Sequence, residues 1–453
     1  MKSLEEKRQH EIDQLIRDIC ITKLKSDNKT ETEIGKILGI SQSTVNRLLA
    51  RTEHGRFHFN PVVPERLGLT KPEVFKLMDA RLDKPDFRST LSKIASDELL
   101  MVDVVVDRNS DVKKVKKGMT PRFTSMIARL IDRSKTGIGV TWGNEIRCPI
   151  DRPDFILRQH SNSQTALCFY PICGTSEDVK VSLTRSSTML AARYSRAVNK
   201  GYDSIFGEPT LYNLNGIPLA HLVFSKITES YANADELKKI KAIRDYICET
   251  HYDAIKIFGE LGDSGSKSDD DAIINKIDTI VTSLGPSGDL LLAHLDRWFP
   301  NMEEIPLNKY AGKVDSIDKR RLASEIAIGD IAGILLPRPD ANYERNRIIT
   351  DQVNTYLATL RPSHLRNLRE KTKAAHKQYN DSELPESKKT VPPAGVVLVV
   401  RQEQNIDAML AAMAEGYVSR LVISYDAEKA VLGRISKLKD RGEEITLANL
   451  IHA

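Results

Sequence analysis

Residues 30–49 read TETEIGKILGISQSTVNRLL, and this pattern predicts two short amphipathic helices joined by a tight turn. In the first helix, Ile34, Ile37 and Leu38 recur at helical spacing and form one apolar face. Gly35 is small at the position where the two helices would cross most closely. The first helix is therefore expected to pack its apolar face directly against the second.

The second helix of this pair is predicted to begin after a glycine turn. Gly39 can adopt the left-handed backbone that a sharp turn needs, and Ser41 is a good N-cap. Val45, Leu48 and Leu49 would then face inward, which leaves a polar outward face. The predicted DNA-contacting residues are Ser41, Gln42, Ser43, Thr44, Asn46, Arg47 and Arg51.

A polar helix face of this kind suits the major groove of duplex DNA. Amide and guanidinium groups can bond to base edges, and hydroxyl groups can bond to phosphates. The spacing of the small residue, the turn glycine, the cap and the apolar positions favours a DNA-binding helix-turn-helix. Two other interpretations stay open at this stage: a helical hairpin that only packs, and a hairpin that binds a protein partner.

The composition is typical of a globular protein with two or three domains. The chain has 453 residues, of which 40% are hydrophobic and 28% charged, and its formal net charge is +5 at pH 7. This mild positive charge permits nucleic-acid binding without requiring it. The first residues are charged, and the apolar run at 394–400 is too short for a bilayer. The sequence therefore predicts a cytoplasmic protein without a membrane partner.

The cysteines indicate neither a disulfide framework nor a zinc ribbon. There are five of them, widely spaced, and no two form a C-x-x-C pair. The sequence accordingly predicts no metal site and no cofactor.

Strand-like and helix-like segments alternate from residue 99 onward. Apolar runs typical of buried strands occupy 99–106, 137–142, 166–173, 278–284, 331–336, 395–400 and 419–424. Segments of helical character occupy 121–133, 183–200, 235–250, 316–326, 343–360 and 405–416. Such alternation predicts an α/β domain with a largely parallel sheet. Two polar segments, 263–271 and 361–393, are expected to be surface excursions.

These patterns divide the chain into three parts. Residues 1–58 are predicted to form a helix-turn-helix DNA-binding domain, and residues 59–98 a linker and domain entry. Residues 99–453 are predicted to form the α/β effector and oligomerisation domain.

Four stretches of the α/β part carry a resemblance to a known family. They read IGVTWG at 138–143, DTIVTSLG at 278–285, IGDIAG at 328–333 and AMLAAMAEGYVSRLVIS at 408–424. Their order, following the helix pair, resembles the SorC family of sugar-responsive bacterial transcription regulators. The resemblance implies an amino-terminal helix-turn-helix followed by an α/β effector domain related to sugar-phosphate isomerases and deaminases. It also implies duplex DNA and a sugar or sugar derivative as binding partners.

The ligand site is predicted where strands end, because ligands of open α/β sheets collect beyond the carboxyl ends of the strands. Gly143 and Gly174 follow strand-like runs, and glycine lets the backbone approach a bound group. A single glycine of this kind also fits a tight turn with no ligand. Asp330 joins the site through the family resemblance alone. The predicted ligand-binding residues are Gly143, Asn144, Glu145, Gly174, Thr175, Ser176, Asp330, Arg401 and Gln402.

The charges of this set indicate the class of ligand. It contains one cation, Arg401, and two acids, Glu145 and Asp330, with amides and hydroxyls around them. This mixture suits a polyol or a singly charged sugar derivative better than a bisphosphate, whose charge the two acids would oppose.

Three function classes follow, and the leading one is a sugar-sensing DNA-binding regulator that is not an enzyme. An isomerase or deaminase would need a positioned acid and base, for which Glu145, Asp330, His160, His221 and His294 are candidates. None of them forms a recognisable spacing motif, so no catalytic residue is predicted. A regulator whose α/β domain serves assembly only is the third class. A homodimer or homotetramer through 99–453 is expected, because one weakly charged helix pair offers little affinity.

Overall fold

A computed structural model of the chain describes the following residues: 4–26, 29–38, 40–51, 74, 78, 87–95, 101–105, 121–150, 167–173, 186–199, 212, 214, 252–258, 272–285, 287–298, 303–307, 316–354, 359–382 and 391–453. The predicted helix at 235–250 and the predicted loop at 263–271 lie outside these residues. So do three predicted ligand residues, Gly174, Thr175 and Ser176.

The described residues form sixteen α-helices and ten strands. The helices are α1 (Leu4–Ser26), α2 (Glu31–Leu38), α3 (Gln42–Arg51), α4 (Phe87–Ile94), α5 (Pro121–Ile131), α6 (Asn144–Ile150), α7 (Ser187–Val198), α8 (Tyr252–Phe258), α9 (Ile273–Lys276), α10 (Gly288–Trp298), α11 (Lys319–Arg321), α12 (Tyr343–Asn354), α13 (Pro362–Asp381), α14 (Ile406–Ala414), α15 (Tyr425–Asp440) and α16 (Leu447–His452). The strands are β1 (Met101–Val105), β2 (Ile138–Val140), β3 (Phe169–Pro171), β4 (Thr279–Ser283), β5 (Glu304–Pro306), β6 (Ser316–Asp318), β7 (Ala327–Ile331), β8 (Ile334–Pro337), β9 (Gly395–Val400) and β10 (Arg420–Ser424). A π-helical turn occupies Leu322–Ile326, and a 3-10 turn occupies Glu403–Asn405.

The first three helices pack around a small apolar core of their own. Ile34 of α2 and Val45 of α3 are fully buried against the apolar face of α1. A Cβ on Gly35 would come within 2.6 Å of the Ile40 carbonyl oxygen, so the predicted close crossing of α2 and α3 is confirmed. Ile37 is 46% exposed. The prediction that Ile37 belongs to the packed apolar face is wrong, because the buried arc of α2 centres on Ile34 and Gly35 and Ile37 points away from it.

A 6-stranded parallel sheet forms the centre of the larger part of the chain, in the order β1-β10-β9-β4-β2-β3. Its middle is held by β9, in which Val397 pairs with Arg420 of β10 on one side and Val281 of β4 on the other. The predicted α/β class with a largely parallel sheet is therefore confirmed.

Alternate residues of the central strands are buried on opposite faces of this sheet. Val396, Leu398 and Val400 join a core that includes residues of α10, α13 and α14. Val397 and Val399 join a second core built with residues of α5, α6 and α7. Both faces of the sheet are thus covered by helices, which explains why its strands are apolar without alternation.

Two antiparallel hairpins, β5–β6 and β7–β8, lie between β4 and β9 in the chain. The predicted helix at 316–326 is wrong in its first part, because pairing with β5 makes a strand there and Asp318 caps the short α11 that follows. The predicted single strand at 331–336 is also wrong. Ala332 and Gly333 have φ angles of 57° and 87°, and they turn the chain back to form the second hairpin.

The segment 361–393 contains the 20-residue helix α13, so the prediction of a surface excursion is wrong. Leu365 and Leu368 belong to the larger core, and Thr372 and His376 are buried further along the same helix face. These residues recur at helical spacing, but the many charged residues between them give the segment a polar average.

The predicted linker, residues 59–98, contributes to two hydrophobic cores, that of the first three helices and the larger core of the α/β part. Val74 and Met78 pack with the first three helices, whereas Leu91 and Ala95 belong to the larger core. Within the part of the chain that the structure describes, no helix is both long and apolar enough to cross a membrane.

Candidate functional site

The polar face of α3 is the first candidate site. Ser41 lies just before the helix, where its hydroxyl accepts a hydrogen bond from the Thr44 backbone N–H at 3.2 Å. Ser41 Oγ also lies 2.8 Å from Thr44 Oγ1 and 3.0 Å from Ser43 Oγ. The cap therefore fixes the amino-terminal turn of α3 and orients three of the predicted DNA-contacting hydroxyls.

The remaining predicted contacts follow along the same helix. Gln42, Asn46 and Arg47 are exposed, whereas Thr44 is half-buried beneath its bond to Ser41, and Arg51 is the last helical residue. Residues four apart on a helix are neighbours, so Gln42 and Asn46 form one polar strip. Opposite this strip, Val45 seats the helix on the small core.

The helix before it is capped in a complementary way. The Thr30 hydroxyl accepts from the Glu33 backbone N–H at 3.3 Å, and the Glu33 carboxylate accepts from the Thr30 N–H at 2.8 Å. This capping box defines the start of α2. Both short helices thus begin at a residue whose side chain caps the first turn.

The second candidate site lies at the carboxyl ends of β2 and β4. These two strands are neighbours, but the chain continues from β2 to β3 on one side and from β4 towards β9 on the other. Such a reversal of strand order opens a crevice at the carboxyl edge of a sheet. Gly143, just past β2, has a φ of 119°, and a Cβ there would come within 2.8 Å of Ser283 Oγ at the end of β4.

The β7–β8 hairpin packs its turn against the same edge of the sheet. The Gly285 N–H donates to the Asp330 carbonyl at 2.8 Å, and Leu284 bridges Ile331. Cys173, beyond the end of β3, contacts the Ala332 carbonyl at 3.5 Å through its sulfur. Asp330 therefore lies at the predicted site, although it lies within a strand and does not precede one as the sequence suggested.

The Asp330 side chain is completely buried, and only one of its oxygens is satisfied. Oδ1 accepts from the Gly333 N–H at 2.8 Å, whereas Oδ2 has no hydrogen-bond partner among the described residues. A Cβ on Gly285 would lie 1.8 Å from Oδ2, so this carboxyl fits only because residue 285 is glycine. Burial raises the pKa of Asp330 to about 7, although the Gly333 N–H opposes this shift.

A second titratable group lies close to Asp330. Cys173 is fully buried, and burial raises the pKa of its thiol well above the ordinary value, with a further contribution from Asp330. The thiol is therefore neutral at pH 7 and provides an apolar wall.

The other predicted ligand residues lie at neighbouring positions. Asn144 begins α6, and Glu145 is half-buried in the first turn of that helix. Arg401 and Gln402 follow β9, next to β4 in the sheet. The Arg401 carbonyl accepts from Ser424 Oγ at 2.8 Å, on the β10 side. The described contacts thus join Gly143 and Asp330 to the β4 end, and they place Arg401 one strand further along.

Sequence reasoning missed the residues that complete this site. Ser283 and Gly285 lie next to the predicted residues Gly143 and Asp330, and Cys173 contacts Ala332, two residues beyond Asp330. None of these three was predicted to bind a ligand. Ser283 and Gly285 belong to the stretch 278–285, which carries part of the family resemblance. Its small residues were the signal in the sequence, but no ligand contact was predicted for them.

We expect the Asp330→Asn variant to lose a pH dependence of stability that the parent shows. The folded pKa is raised to about 7 from 3.8, so between these values the folded state binds more protons than the unfolded state. The free energy of unfolding of the parent should then fall as pH rises from about 4 to about 7, by at most about 1.4 kcal/mol per pH unit. Urea unfolding of both proteins at pH 5, 6, 7 and 8 measures the difference.

This difference isolates Asp330, because other titrating groups are common to both proteins. His364, for example, has its pKa lowered to about 4 by burial, so it makes the free energy of unfolding rise with pH between about 4 and 6.5. This contribution is the same in the parent and in the variant and cancels in the difference. A parent-minus-variant difference that stays constant from pH 5 to pH 8 would contradict the assignment.

Comparison with known proteins gives similar structures at low identity. No family profile and no curated protein sequence matches the chain. The full-length sorbitol operon regulator SorC from Klebsiella pneumoniae is 14% identical with a TM-score of 0.38, and the match covers 93% of this chain and 99% of that one. A transcriptional regulator from Streptococcus pneumoniae is 13% identical with a TM-score of 0.40, covering 78% and 96%. A DeoR family transcriptional regulator from Listeria monocytogenes is 13% identical with a TM-score of 0.37, covering 76% and 97%.

These three structures are described as transcription regulators. Their TM-scores lie below 0.5, so the similarity by itself assigns no function to this chain.

Proposed function

We propose that the chain is a DNA-binding transcription regulator whose α/β domain senses a polyol or a singly charged sugar derivative and catalyses no reaction. The observation that carries the proposal is the exposed polar face of α3, capped by Ser41 and seated on Val45. Cytoplasmic location and a homodimer or homotetramer through residues 99–453 belong to the same proposal.

The α3 surface matches what a major-groove helix needs. Gln42 and Asn46 offer amides that can bond to adenine, and Arg47 offers a guanidinium that can bond to guanine. The hydroxyls near the amino terminus of the helix suit phosphate oxygens. Two copies of α3, presented by a symmetric oligomer, would read half-sites spaced by whole turns of DNA, about 10 base pairs.

We expect Arg47→Ala and Gln42→Ala each to weaken specific DNA binding by about 1–3 kcal/mol. Both side chains are exposed, so neither variant should unfold. The operator would be selected from random duplex DNA with the parent protein, and affinities measured by fluorescence anisotropy at fixed salt. Arg320→Ala is the matched control, because it removes an exposed positive charge far along the chain from α3. Equal losses in Arg47→Ala and Arg320→Ala would contradict a recognition helix at α3.

Asp330 supports the sugar-sensing half of the proposal. Its buried Oδ2 lacks a donor among the described residues, and a ligand hydroxyl is such a donor. Glu145 lies half-buried beside Gly143, so two acids border the crevice and disfavour a doubly phosphorylated ligand. Arg401 provides the single cation on the β9 side.

We expect a sugar identified by thermal-shift screening to bind Asp330→Asn and Arg401→Ala at least tenfold more weakly than the parent. The first variant replaces one of the two carboxyl oxygens by an amide nitrogen, which cannot accept a hydrogen bond, and the second removes the cation. Calorimetry measures the affinities, with Arg320→Ala again as the control. An effector whose affinity neither site variant changes would place the site elsewhere.

A separate experiment with the same ligand distinguishes a regulator from an enzyme. A buried carboxyl with a pKa of about 7 also suits a general acid or base, which is the observation that favours an isomerase-type reaction. Chromatography of the ligand after incubation decides between them. Recovery of unchanged ligand supports the regulator, and conversion that is abolished in Asp330→Asn supports the enzyme.

A further inference from the structure

A cavity of about 300 Å³ lies at the open end of the β7–β8 hairpin. Its wall includes Arg321, Arg338, Arg345, Ser324 and Asn342. Asp330 lies near the opposite, closed end of the hairpin, four residues along β7 from Ile326. At about 3.3 Å per residue, the two sites are about 13 Å apart.

The cavity is formed by an irregular backbone. The chain passes through the π-helical turn Leu322–Ile326 immediately before β7, and π-helical turns are frequent at functional sites. The hairpin itself has an irregular register between Ala327 and Gly329. After β8, the Arg338 carbonyl accepts from Asn346 Nδ2 at 3.0 Å, which holds the start of α12 across the opening.

Two of the arginines are poorly compensated. Arg338 donates one long bond of 3.4 Å to the Ala327 carbonyl, and its Nε is buried without a partner among the described residues. Arg345 is exposed and has neither an ion pair nor a hydrogen bond within the described segments. A half-buried guanidinium without a carboxylate is costly, and an anion would offset this cost.

The acids on the wall are already engaged. The Glu325 carboxylate lies 3.1 Å from Arg321 Nε and neutralises that arginine. Asp340 Oδ1 accepts from the Asn342 N–H at 2.7 Å and from Asn346 Nδ2 at 3.0 Å. Once Arg321 and Glu325 are paired, the wall holds two positive charges, on Arg338 and Arg345, and one negative charge, on Asp340. Its net charge is therefore +1.

We propose that this cavity is a second binding site, for a small anion with a carboxylate or phosphate group that Arg338 and Arg345 hold between them. Planar guanidinium groups match the oxygen geometry of both anions. Ser324 and Asn342 then bond to the polar remainder of the ligand. The site is separate from the Asp330 crevice and does not depend on whether the chain binds DNA.

The test is calorimetric titration of the full chain with sodium phosphate and, separately, sodium acetate, against sodium chloride at equal ionic strength. We expect saturable binding of at least one anion, weakened at least tenfold by Arg338→Gln and by Arg345→Gln. Tighter binding of phosphate than of acetate assigns the site to a phosphorylated ligand, and the reverse order assigns it to a carboxylate.

Arg320→Gln is the matched control, because Arg320 is exposed on α11 and lies outside the cavity wall. Its affinity should equal that of the parent. The proposal is overturned if neither anion binds saturably, or if all three variants lose the same amount, which would indicate diffuse attraction to surface charge. Arg345 is an exposed side chain, so Arg345→Gln should fold normally. If Arg338→Gln fails to fold, the anion affinity of Arg345→Gln alone tests the proposal.

Discussion

Replacing Asp103 with asparagine should lower the free energy of unfolding by about 3–5 kcal/mol, because it breaks a buried ion pair from one side. Asp103 Oδ2 lies 2.5 Å from Arg420 Nε, and each side chain is 4% exposed. Arg133 is close enough that its pKa is lowered to about 10, by burial and then by Arg420, while Asp103 raises it. The variant would therefore leave the positive charges of buried Arg420 and half-buried Arg133 near each other without the Asp103 carboxylate.

Urea unfolding of the full chain, followed by circular dichroism, measures this loss. Asp296→Asn is the control, because Asp296 pairs with Lys319 at 2.6 Å but its side chain is 56% exposed. That variant should lose about 1 kcal/mol or less. Replacing Asp103 and Arg420 together by leucine should recover part of the loss. An Asp103→Asn loss as small as that of the control would show that the pair contributes little.

Lys23→Met should destabilise the contact between the helical amino-terminal part and the α/β domain by a comparable free energy. Lys23 Nζ lies 3.0 Å from Glu428 Oε2, and the two side chains are 3% and 11% exposed. The pair joins α1 to α15. Removing the lysine leaves Glu428 buried without its cation, at a cost of about 3–5 kcal/mol. Hydrogen exchange should then accelerate in α1 while the amides of β9 stay protected.

Lys25→Met is the matched control for this prediction. Lys25 lies two residues further along the same helix and pairs with Glu31 at the surface. Its removal should leave exchange in α1 nearly unchanged. Equal exchange in the two variants would mean that the buried pair does not hold α1 in place.

The position of Glu428 gives this ion pair a second consequence in the proposed regulator. Ser424 caps α15 by accepting from the Ala427 N–H at 3.2 Å, and its hydroxyl donates to the Arg401 carbonyl. One short helix turn thus connects the carboxyl end of β9 to α1. We expect Lys23→Met to bind operator DNA while responding less to the effector than the parent does, since coupling requires a contact that differs between states.

The regular elements could be predicted from local sequence. The run 395–400 is the strand β9 with the predicted bounds, and the predicted helix at 405–416 contains α14. Both are apolar enough for periodicity to identify them. The helix α13 was missed because its charged residues outnumber the apolar ones that recur at helical spacing. That face is buried by tertiary contacts, including those with β9, which the local sequence does not show.

The candidate site could be predicted in part. Strand-end glycines located Gly143, and the family resemblance located Asp330. Neither signal indicated that Gly285 must lack a side chain, because the atom that would clash with one belongs to Asp330, far away in the sequence. The arginine-lined cavity had no signal in the sequence either, since it depends on the bends on both sides of the β7–β8 hairpin.

The sequence by itself determined the local structure of the chain: the capped helices α2 and α3, the apolar strands and the glycine turns. Each of these depends on residues a few positions apart, whose spacing and conformational preferences act before any tertiary contact. Only the tertiary structure decided the strand order, the crevice between β2 and β4, the pKa of Asp330 and the ion pair between Lys23 and Glu428. These properties depend on burial and on distances between residues remote in the sequence, and folding alone brings such residues together.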